Sequence, residues 1–319
     1  MTAPEGSRPA EVTVVIATRD RPDMLDRCLA SLLAGKRLPA EIVVADQSRD
    51  EQTARVAAKY QAQFPALVYL HQPGQGLGVA QNLAMRRAGC DVVAVTDDDC
   101  VPAADWLACL AAAFAGPQAV DVLTGPVLPY GPPHADTFPV ATRGGGARVD
   151  FDGRAMPWDI GSGNNFAVKR AWLERVGGND ERLGPGSPGR GGVDMDLFYR
   201  LARAGAHIRF EPEALVYHER ASRSSRLGRR FPYGYGMGAC CGLWLRQGDA
   251  NALRVLGRWL LARTGRLAGG LARRDGLRVR EEALVLTGTA GGLLYGWRAG
   301  RYAVSSWHER NPDRQPIQP

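Results

Sequence analysis

Four short apolar runs punctuate the first third of the chain: Val12–Ala17 (VTVVIA), Ile42–Ala45 (IVVA), Leu67–Leu70 (LVYL) and Val92–Val95 (VVAV). Each is rich in β-branched residues and almost free of polar positions. That is the pattern of strands buried on both faces of a parallel sheet, since half-exposed strands alternate. Between the runs, apolar residues fall into helical spacing. Met24, Leu25, Cys28, Leu29, Leu32 and Leu33 form one stripe ending near Gly35, with Asp20 placed to cap the helix and Pro22 in its first turn. A second helix is expected over about Val79–Ala88, after a glycine-rich turn. The repeating unit is β-α-β, which fixes the class as α/β with a mostly parallel central sheet flanked by helices.

Periodicity fades from Gly125 to Gly192, where Gly and Pro are frequent, and this span is expected to form long functional loops rather than core. Order returns at Asp194–Ala204 (DMDLFYRLARA), read as a helix. Short strands follow at Ile208–Phe210 and Leu215–Tyr217, leading to His218. Beyond Arg220, Leu253, Leu256, Leu260, Leu267 and Leu271 recur at roughly helical spacing among arginines. The uncharged stretches Phe231–Leu245 and Ala283–Trp297 fall short of the ~20 residues that span a bilayer, so no transmembrane anchor is expected.

With 319 residues, 45% of them hydrophobic and 23% charged, the composition is that of a folded globular chain and excludes fibrous and disordered classes. The net charge of +7 hides an asymmetry. Residues 221–319 carry 17 basic and 6 acidic side chains, leaving 23 basic and 27 acidic for the rest. The basic segment is therefore expected to meet an anionic surface, a membrane through an amphipathic helix, or else to form a helical cap packed on the preceding domain or on a second subunit. Nucleic acid is not an expected partner, because an arginine excess with only Lys36, Lys59 and Lys169 as lysines also follows from genomic base composition. The six cysteines show no C-x-x-C pair and Cys240 and Cys241 are adjacent, poor spacing for zinc or a disulfide framework. A cytoplasmic location is expected, peripheral to the inner face of the cell membrane if the basic segment binds lipid. Residues 1–10 are expected to be disordered, and Met1–Glu11 has no apolar core of a secretory signal.

The most informative run is Val92–Pro102, VVAVTDDDCVP, where a buried strand ends in Asp97, Asp98 and Asp99. Ligands of open α/β sheets bind at the carboxyl ends of strands, and alternation sends Asp97 and Asp99 to one side. Such a pair suits Mg²⁺ or Mn²⁺ shared with a phosphate-bearing ligand. The first strand ends in Thr18-Arg19-Asp20-Arg21-Pro22, where arginine and a helix N-terminus can meet phosphate or remain solvated. The second ends in Asp46, placed either to accept from the N3–H of a uracil or thymine or simply to terminate the strand. Gly74-Gln75-Gly76-Leu77-Gly78 matches neither G-x-G-x-x-G nor a P-loop, which disfavours a dehydrogenase or a P-loop NTPase.

In order, VVIATRDRPDMLDRCLASL, EIVVADQS, GLGVAQNLA, VTDDDCVP, GSGNNFAVKR, GGVDMDLFYRL and EPEALVYHER resemble the motifs of family 2 glycosyltransferases, inverting enzymes of the GT-A nucleotide-sugar fold. The resemblance covers about residues 11–220. It implies a catalytic domain there, with a nucleotide-binding half at 11–124 and an acceptor half at 125–220, followed by a basic helical extension at 221–319. It implies that Asp99 binds a metal bridging the donor diphosphate, with Asp97 near the ribose or metal, Asp98 beside the donor, and His218 near the metal. Asp46 then reads the base, favouring UDP or dTDP, while Thr18 and Arg21 pack around the nucleoside and Asn82 stands at the Asn of the A-R-N triplet, with Gln81 in place of its arginine. Asp194 corresponds to the general base of G-G-E-D-x-D-L, with Val193 where the family has Glu and Asp196 following on the same helix. Trp158 and Asn165 match the segment facing donor sugar and acceptor.

The processive members' Gln-x-x-Arg-Trp motif is not found, Gln247 being followed by Gly248-Asp249, so one sugar is expected to move per reaction to an acceptor hydroxyl of unknown identity. Competing expectations are a sugar-phosphate nucleotidyltransferase, disfavoured because Thr18–Asp23 lacks glycine, and a non-catalytic sugar-nucleotide binder, motivated by Val193.

Overall fold

The computed structural model describes residues 9–140, 146–300 and Trp307. Residues 1–8 of the expected disordered N-terminus, and most of the chain beyond 300, lie outside the described residues. The first half runs β1 (Val12–Thr18), α1 (Pro22–Leu33), β2 (Glu41–Asp46), α2 (Gln52–Gln63), β3 (Leu67–His71), α3 (Leu77–Arg87) and β4 (Val92–Asp97). These strands are parallel and adjacent in the order β3-β2-β1-β4, with Val15 opposite both Val43 and Val95. Both faces are covered, as the uninterrupted apolar runs require. Val14, Ile16, Ile42 and Val44 pack on Leu25, Leu29, Trp106 and Leu110. The alternate residues Val15, Val43, Val93 and Val95 pack on Ala84, Met85, Leu197 and Phe198.

The helix after β1 starts without a side-chain cap. Asp20 is not its cap: it sits in the left-handed region at φ +55°, and its carboxylate accepts from the backbone N–H and Nε of Arg49.

The next stretch comprises β5 (Cys100–Pro102), α4 (Trp106–Ala113), β6 (Val122–Thr124), β7 (Val127–Pro129), β8 (Thr137–Phe138), β9 (Val149–Phe151), α5 (Pro157–Ile160), β10 (Asn165–Lys169), α6 (Arg170–Val176), α7 (Val193–Arg203), β11 (Ile208–Phe210), β12 (Val216–His218) and β13 (Ala221–Ser222). The expectation of loops alone between Gly125 and Gly192 is corrected here. β10 lies inside the main sheet, antiparallel to both β4 and β6, in the order β3-β2-β1-β4-β10-β6-β11-β9. Its five residues, NFAVK, are too few to display a period, and the glycines before it mask the start.

Three helices close the described chain: α8 (Arg230–Arg246), α9 (Asn251–Ala272) and α10 (Gly276–Arg298). Helices α8 and α10 meet backbone on backbone, because Gly234, Gly238 and Gly242 face Gly288, Gly292 and Gly296. A Cβ at any of these six would collide with a carbonyl oxygen of the opposite helix. α8 also docks on α7, where Trp244 stacks on Tyr199 with ring centroids 3.7 Å apart and donates from Nε1 to Asp196 at 2.8 Å. Part of the basic segment is thus a cap packed on the α/β body. The outer side of α9 is open, with Leu253, Leu261 and Leu271 exposed by 60%, 72% and 61%. No helix among the described residues is long and apolar enough to cross a membrane.

Candidate active site

Parallel pairing puts the carboxyl ends of β1 and β4 side by side, with Ala17 opposite Asp97. The chain turns directly from β4 into β5, so all three aspartates crowd the mouth of a cavity of about 370 Å³ lined also by Thr18, Arg21 and His218. The Thr18 hydroxyl donates to Asp98 at 2.8 Å. Nη1 of Arg21 donates to Asp98 at 3.1 Å and to Asp99 at 3.0 Å. Pairing of β12 with β5 sets His218 opposite Cys100 and brings its Nε2 to 3.4 Å from Asp99. Nδ1 of His218 lies 2.6 Å from the carbonyl oxygen of Glu219. A carbonyl only accepts, so Nδ1 carries the proton, and in the neutral ring Nε2 presents its lone pair to the cleft.

Asp97 carries the clearest sign of an acquired partner. Its Oδ1 is buried without a hydrogen bond, and burial together with the charges of Asp99 and Asp98 pushes its carboxyl well above the usual range. Burial likewise raises Asp98, against the opposing pull of Arg21 and Thr18. Three carboxylates this close repel one another unless a cation joins them. Donor atoms of Asp99, Cys100 and His218 lie within 4.8 Å of one another, but the Cys100 sulfur is buried and accepts from Asn164. The oxygen and imidazole donors of Asp99 and His218, with the unpartnered carboxylate oxygen of Asp97 in the lining of the same cavity, are of the kind that suits Mg²⁺ or Mn²⁺.

Asp194 enters from the opposite side of the sequence. Gly192, at φ +79°, lets the chain turn sharply into α7, and Asp194 Oδ2 accepts from the backbone N–H of Gly163 at 3.1 Å. Desolvation raises this carboxyl, opposed by N–H donation from Met195 and Gly163. Its charge also contributes to the rise at Asp97, so the two carboxylates share one electrostatic environment. Val193 is only 5% exposed and packs in the cluster with Leu183 and Cys240. A glutamate there would be buried among apolar side chains, which accounts for the valine without reference to catalysis.

Four residues expected at the site are engaged elsewhere. Asp46 is fully buried, accepting from the Ser48 N–H at 2.7 Å and the Tyr69 hydroxyl at 2.7 Å. It does not line the cleft; its neighbour Gln47 does. Asn82 ties α3 to the loop after α6, donating to Asn179 and Glu181 and accepting from the Asn179 N–H. Asn165 is saturated by Trp106, Pro126 and Ala214. Asp196 is taken up by Trp244 and Arg200. In each case a polar residue beside an active-site motif serves to satisfy buried polar groups. Trp158 lines a second, separate cavity with Trp259. The reading missed Arg229, just before α8, which lines the cleft with Pro185 and Gly186. Arg229 belongs to no motif, and its position was one of many in an arginine-rich segment.

Comparison with known proteins places this geometry. The model of glycosyl transferase family 2 matches residues 13–177. The chain is 28% identical over 306 residues to the succinoglycan biosynthesis protein ExoM of Rhizobium meliloti, covering 89% of this chain and 93% of that protein. It is 30% identical over 293 residues to the pre-mycofactocin glycosyltransferase of Mycobacterium tuberculosis, covering 84% of this chain and 56% of the relative, so it spans about half the length of that protein. The mannosyltransferase PcManGT of Pyrobaculum calidifontis, solved in complex with GDP-Man and Mn²⁺, superposes with a TM-score of 0.61 at 18% identity over 90% of this chain and 88% of that one. The shared architecture is the GT-A fold.

Proposed function

Because the chain belongs to glycosyl transferase family 2 and is a glycosyltransferase, we propose that it transfers a single sugar from a nucleotide-diphosphate sugar to an acceptor hydroxyl with inversion and divalent-metal assistance. The observation that supports this most directly is the shared cleft of Asp97, Asp98, Asp99 and His218, in which His218 Nε2 stands 3.4 Å from Asp99 and Asp97 keeps a buried carboxylate oxygen without a hydrogen bond. Asp97, Asp99 and His218 would hold the cation, and a bound Mg²⁺ or Mn²⁺ supplies positive charge against the departing diphosphate. Arg21 offsets the charge of Asp98 and Asp99 and, through Asp98, holds Thr18 at the rim of the cleft. Asp194 takes the proton of the acceptor hydroxyl as its oxygen bonds to the anomeric carbon. The bond from that carbon to the diphosphate breaks on the opposite face, so a single displacement inverts the centre. A raised carboxyl pKa suits a base, since proton transfer is most effective when the base's pKa approaches the working pH.

Asp46 is not among the residues lining the cleft, so GDP sugars join UDP and dTDP sugars as donor candidates. A role in assembling a polysaccharide or glycoconjugate agrees with the name of the Rhizobium relative. The exposed leucines of α9 stand beside exposed Arg254, Arg258, Arg273 and Arg274, and we assign this face to an anionic lipid surface at the inner side of the cell membrane.

The test is donor hydrolysis and transfer with Mn²⁺ or Mg²⁺ across UDP, dTDP and GDP sugars. Asp99→Ala is expected to abolish the metal dependence of donor binding, and Asp194→Asn to retain donor binding while losing transfer by about 10²-fold or more. Undiminished transfer by Asp194→Asn rejects it as the base.

A further inference from the structure

We propose that the cavity between α5, α8 and α9 seats the acceptor and selects a sugar carrying an anionic group, a phosphate or a carboxylate. The inference rests on the transferase reading above and names the substrate class of the same enzyme. The cavity measures about 710 Å³ and is walled by Trp158, Tyr233, Trp259, Arg263 and Arg266, a volume within the range of small-molecule sites. Trp158 and Trp259 lie with ring centroids 5.6 Å apart and tilted by 48°, and Tyr233 stands 5.4 Å from Trp259 at 55°. Trp259 is 3% exposed and backs the wall, while half-buried Trp158 and Tyr233, 40% exposed, offer ring surface to the apolar side of a pyranose.

The loop that borders the cavity also holds the proposed base, which is not itself one of the lining residues. Gly161 lines the cavity, and two residues along that loop the Gly163 N–H holds Asp194. A Cβ at Gly163 would come within 2.8 Å of the Asp194 Cβ, so the loop presses directly on the base. A sugar seated against Trp158 has the loop of the base as its neighbour.

The charge requirement comes from the arginines. Arg263 lies over Trp259, 4.1 Å from its ring centroid, with Nε buried and lacking a hydrogen bond. Arg263 and Arg266 also wall an adjoining hollow of about 350 Å³, where Arg226, Arg230 and Arg278 join them. Four carboxylates stand among these five arginines, Asp159 in the wall of the first cavity and three around the second. Glu281 takes Arg226 and Arg230, Glu282 faces Arg263 at 3.5 Å, and Asp275 caps α10 through the Arg278 N–H. Arg266 and Arg278 have no ion-pair partner among the described residues. Guanidinium groups beside an aromatic wall, in excess of nearby carboxylates, match a ring bearing an anion.

The experiment is equilibrium titration of tryptophan fluorescence in the full chain with glucose 1-phosphate, methyl β-glucuronide and neutral methyl β-glucoside. Both anionic sugars are expected to bind at least tenfold more tightly than the neutral one, and the stronger of the two identifies phosphate or carboxylate. Arg266→Gln, on an exposed position, is expected to weaken the anionic sugars about tenfold. Equal binding of the three sugars overturns the proposal. So does binding that Arg266→Gln leaves intact but Arg229→Gln removes, which would place the anion in the donor cleft. Parallel titration with UDP and GDP plus Mn²⁺ reads the donor site independently, so a failed donor site and a failed acceptor site give different results.

Discussion

Asp196 lies two residues from the proposed base on the same helix, yet the structure gives it the opposite kind of work. It is 2% exposed, with Oδ1 accepting from Trp244 Nε1 at 2.8 Å and Oδ2 engaged by Arg200 at 2.6 and 2.8 Å. Asp196→Asn keeps the volume and one acceptor but turns an amide N–H₂ toward the guanidinium. Removing one partner from a buried ion pair costs about 3–5 kcal/mol. Arg200 retains its bonds to the carbonyls of Val176 and Gly178, which puts the loss near the lower end, about 3 kcal/mol. Unfolding entropy of ~2.1 cal/mol/K per residue, over 319 residues, gives roughly 0.7 kcal/mol per kelvin, so the melting temperature should fall by about 4–5 °C. The assay is thermal unfolding by circular dichroism, paired with transfer measured 20 °C or so below the transition, where the variant is folded and should keep most of its rate. An unchanged melting temperature together with lost transfer would refute the reasoning, because it would mean that Asp196 touches substrate rather than bracing α7 against α8.

Three other outcomes follow from particular contacts. Gly292→Ala puts a Cβ against the Tyr235 carbonyl and should lower stability by about 1–3 kcal/mol in urea, whereas Gly257→Ala, with open space around it, should be neutral or gain up to about 1 kcal/mol from helix propensity; equal midpoints for the two would contradict the tight α8–α10 seam. Because burial raises the Asp194 carboxyl, its ionisation costs stability as pH climbs from the usual carboxylate range to the folded value. Asp194→Asn should therefore unfold at higher temperature than the wild type at pH 8, with the gap closing by about pH 4, while wild-type transfer falls as pH drops through the raised value. Leu261→Asp with Leu271→Asp should reduce cosedimentation with phosphatidylglycerol vesicles severalfold without changing the melting temperature; undiminished sedimentation removes α9 from the membrane reading.

The parts legible in the sequence were those in which one physical demand dominates a contiguous stretch. Strands β1 to β4 are buried on both faces, and continuous β-branched runs are the unavoidable result. The aspartates after β4 follow such a strand without a gap, so their place at the sheet's carboxyl edge was already implied. Asp46, Asn82, Asn165 and Asp196 show the limit. A buried polar residue held by backbone and ring N–H groups looks the same in sequence as one aimed at a ligand, and only the partners tell them apart: Tyr69 for Asp46, Asn179 for Asn82, Trp106 for Asn165, Trp244 for Asp196. Every one of those partners lies at least 23 residues away, beyond any local pattern. The α8–α10 seam was in principle readable, since glycines recur every four residues in both helices, but its meaning requires knowing that the two stretches face each other.

Those long-range partners also explain why the helical extension cannot be treated as an appendage to a finished catalytic unit. The helix bearing Asp194 is fixed at its start by Gly192, whose backbone is so close to α8 that a Cβ would strike Gly236 and Cys240, and one turn on by the Asp196–Trp244 bond. α8 is in turn held by α10 through glycines on both sides. Asp194, the proposed base, is therefore positioned from two directions, by the Gly163 N–H of the α/β body and by the three-helix cap. The cap also contributes Arg229 to the aspartate-lined cleft and Tyr233, Trp259 and Arg263 to the second cavity. Loosening α8 should consequently disturb the placement of Asp194 and the walls of both cavities together, while the Asp97–Asp99 cluster, anchored by β4, Thr18 and Arg21, depends on none of these contacts.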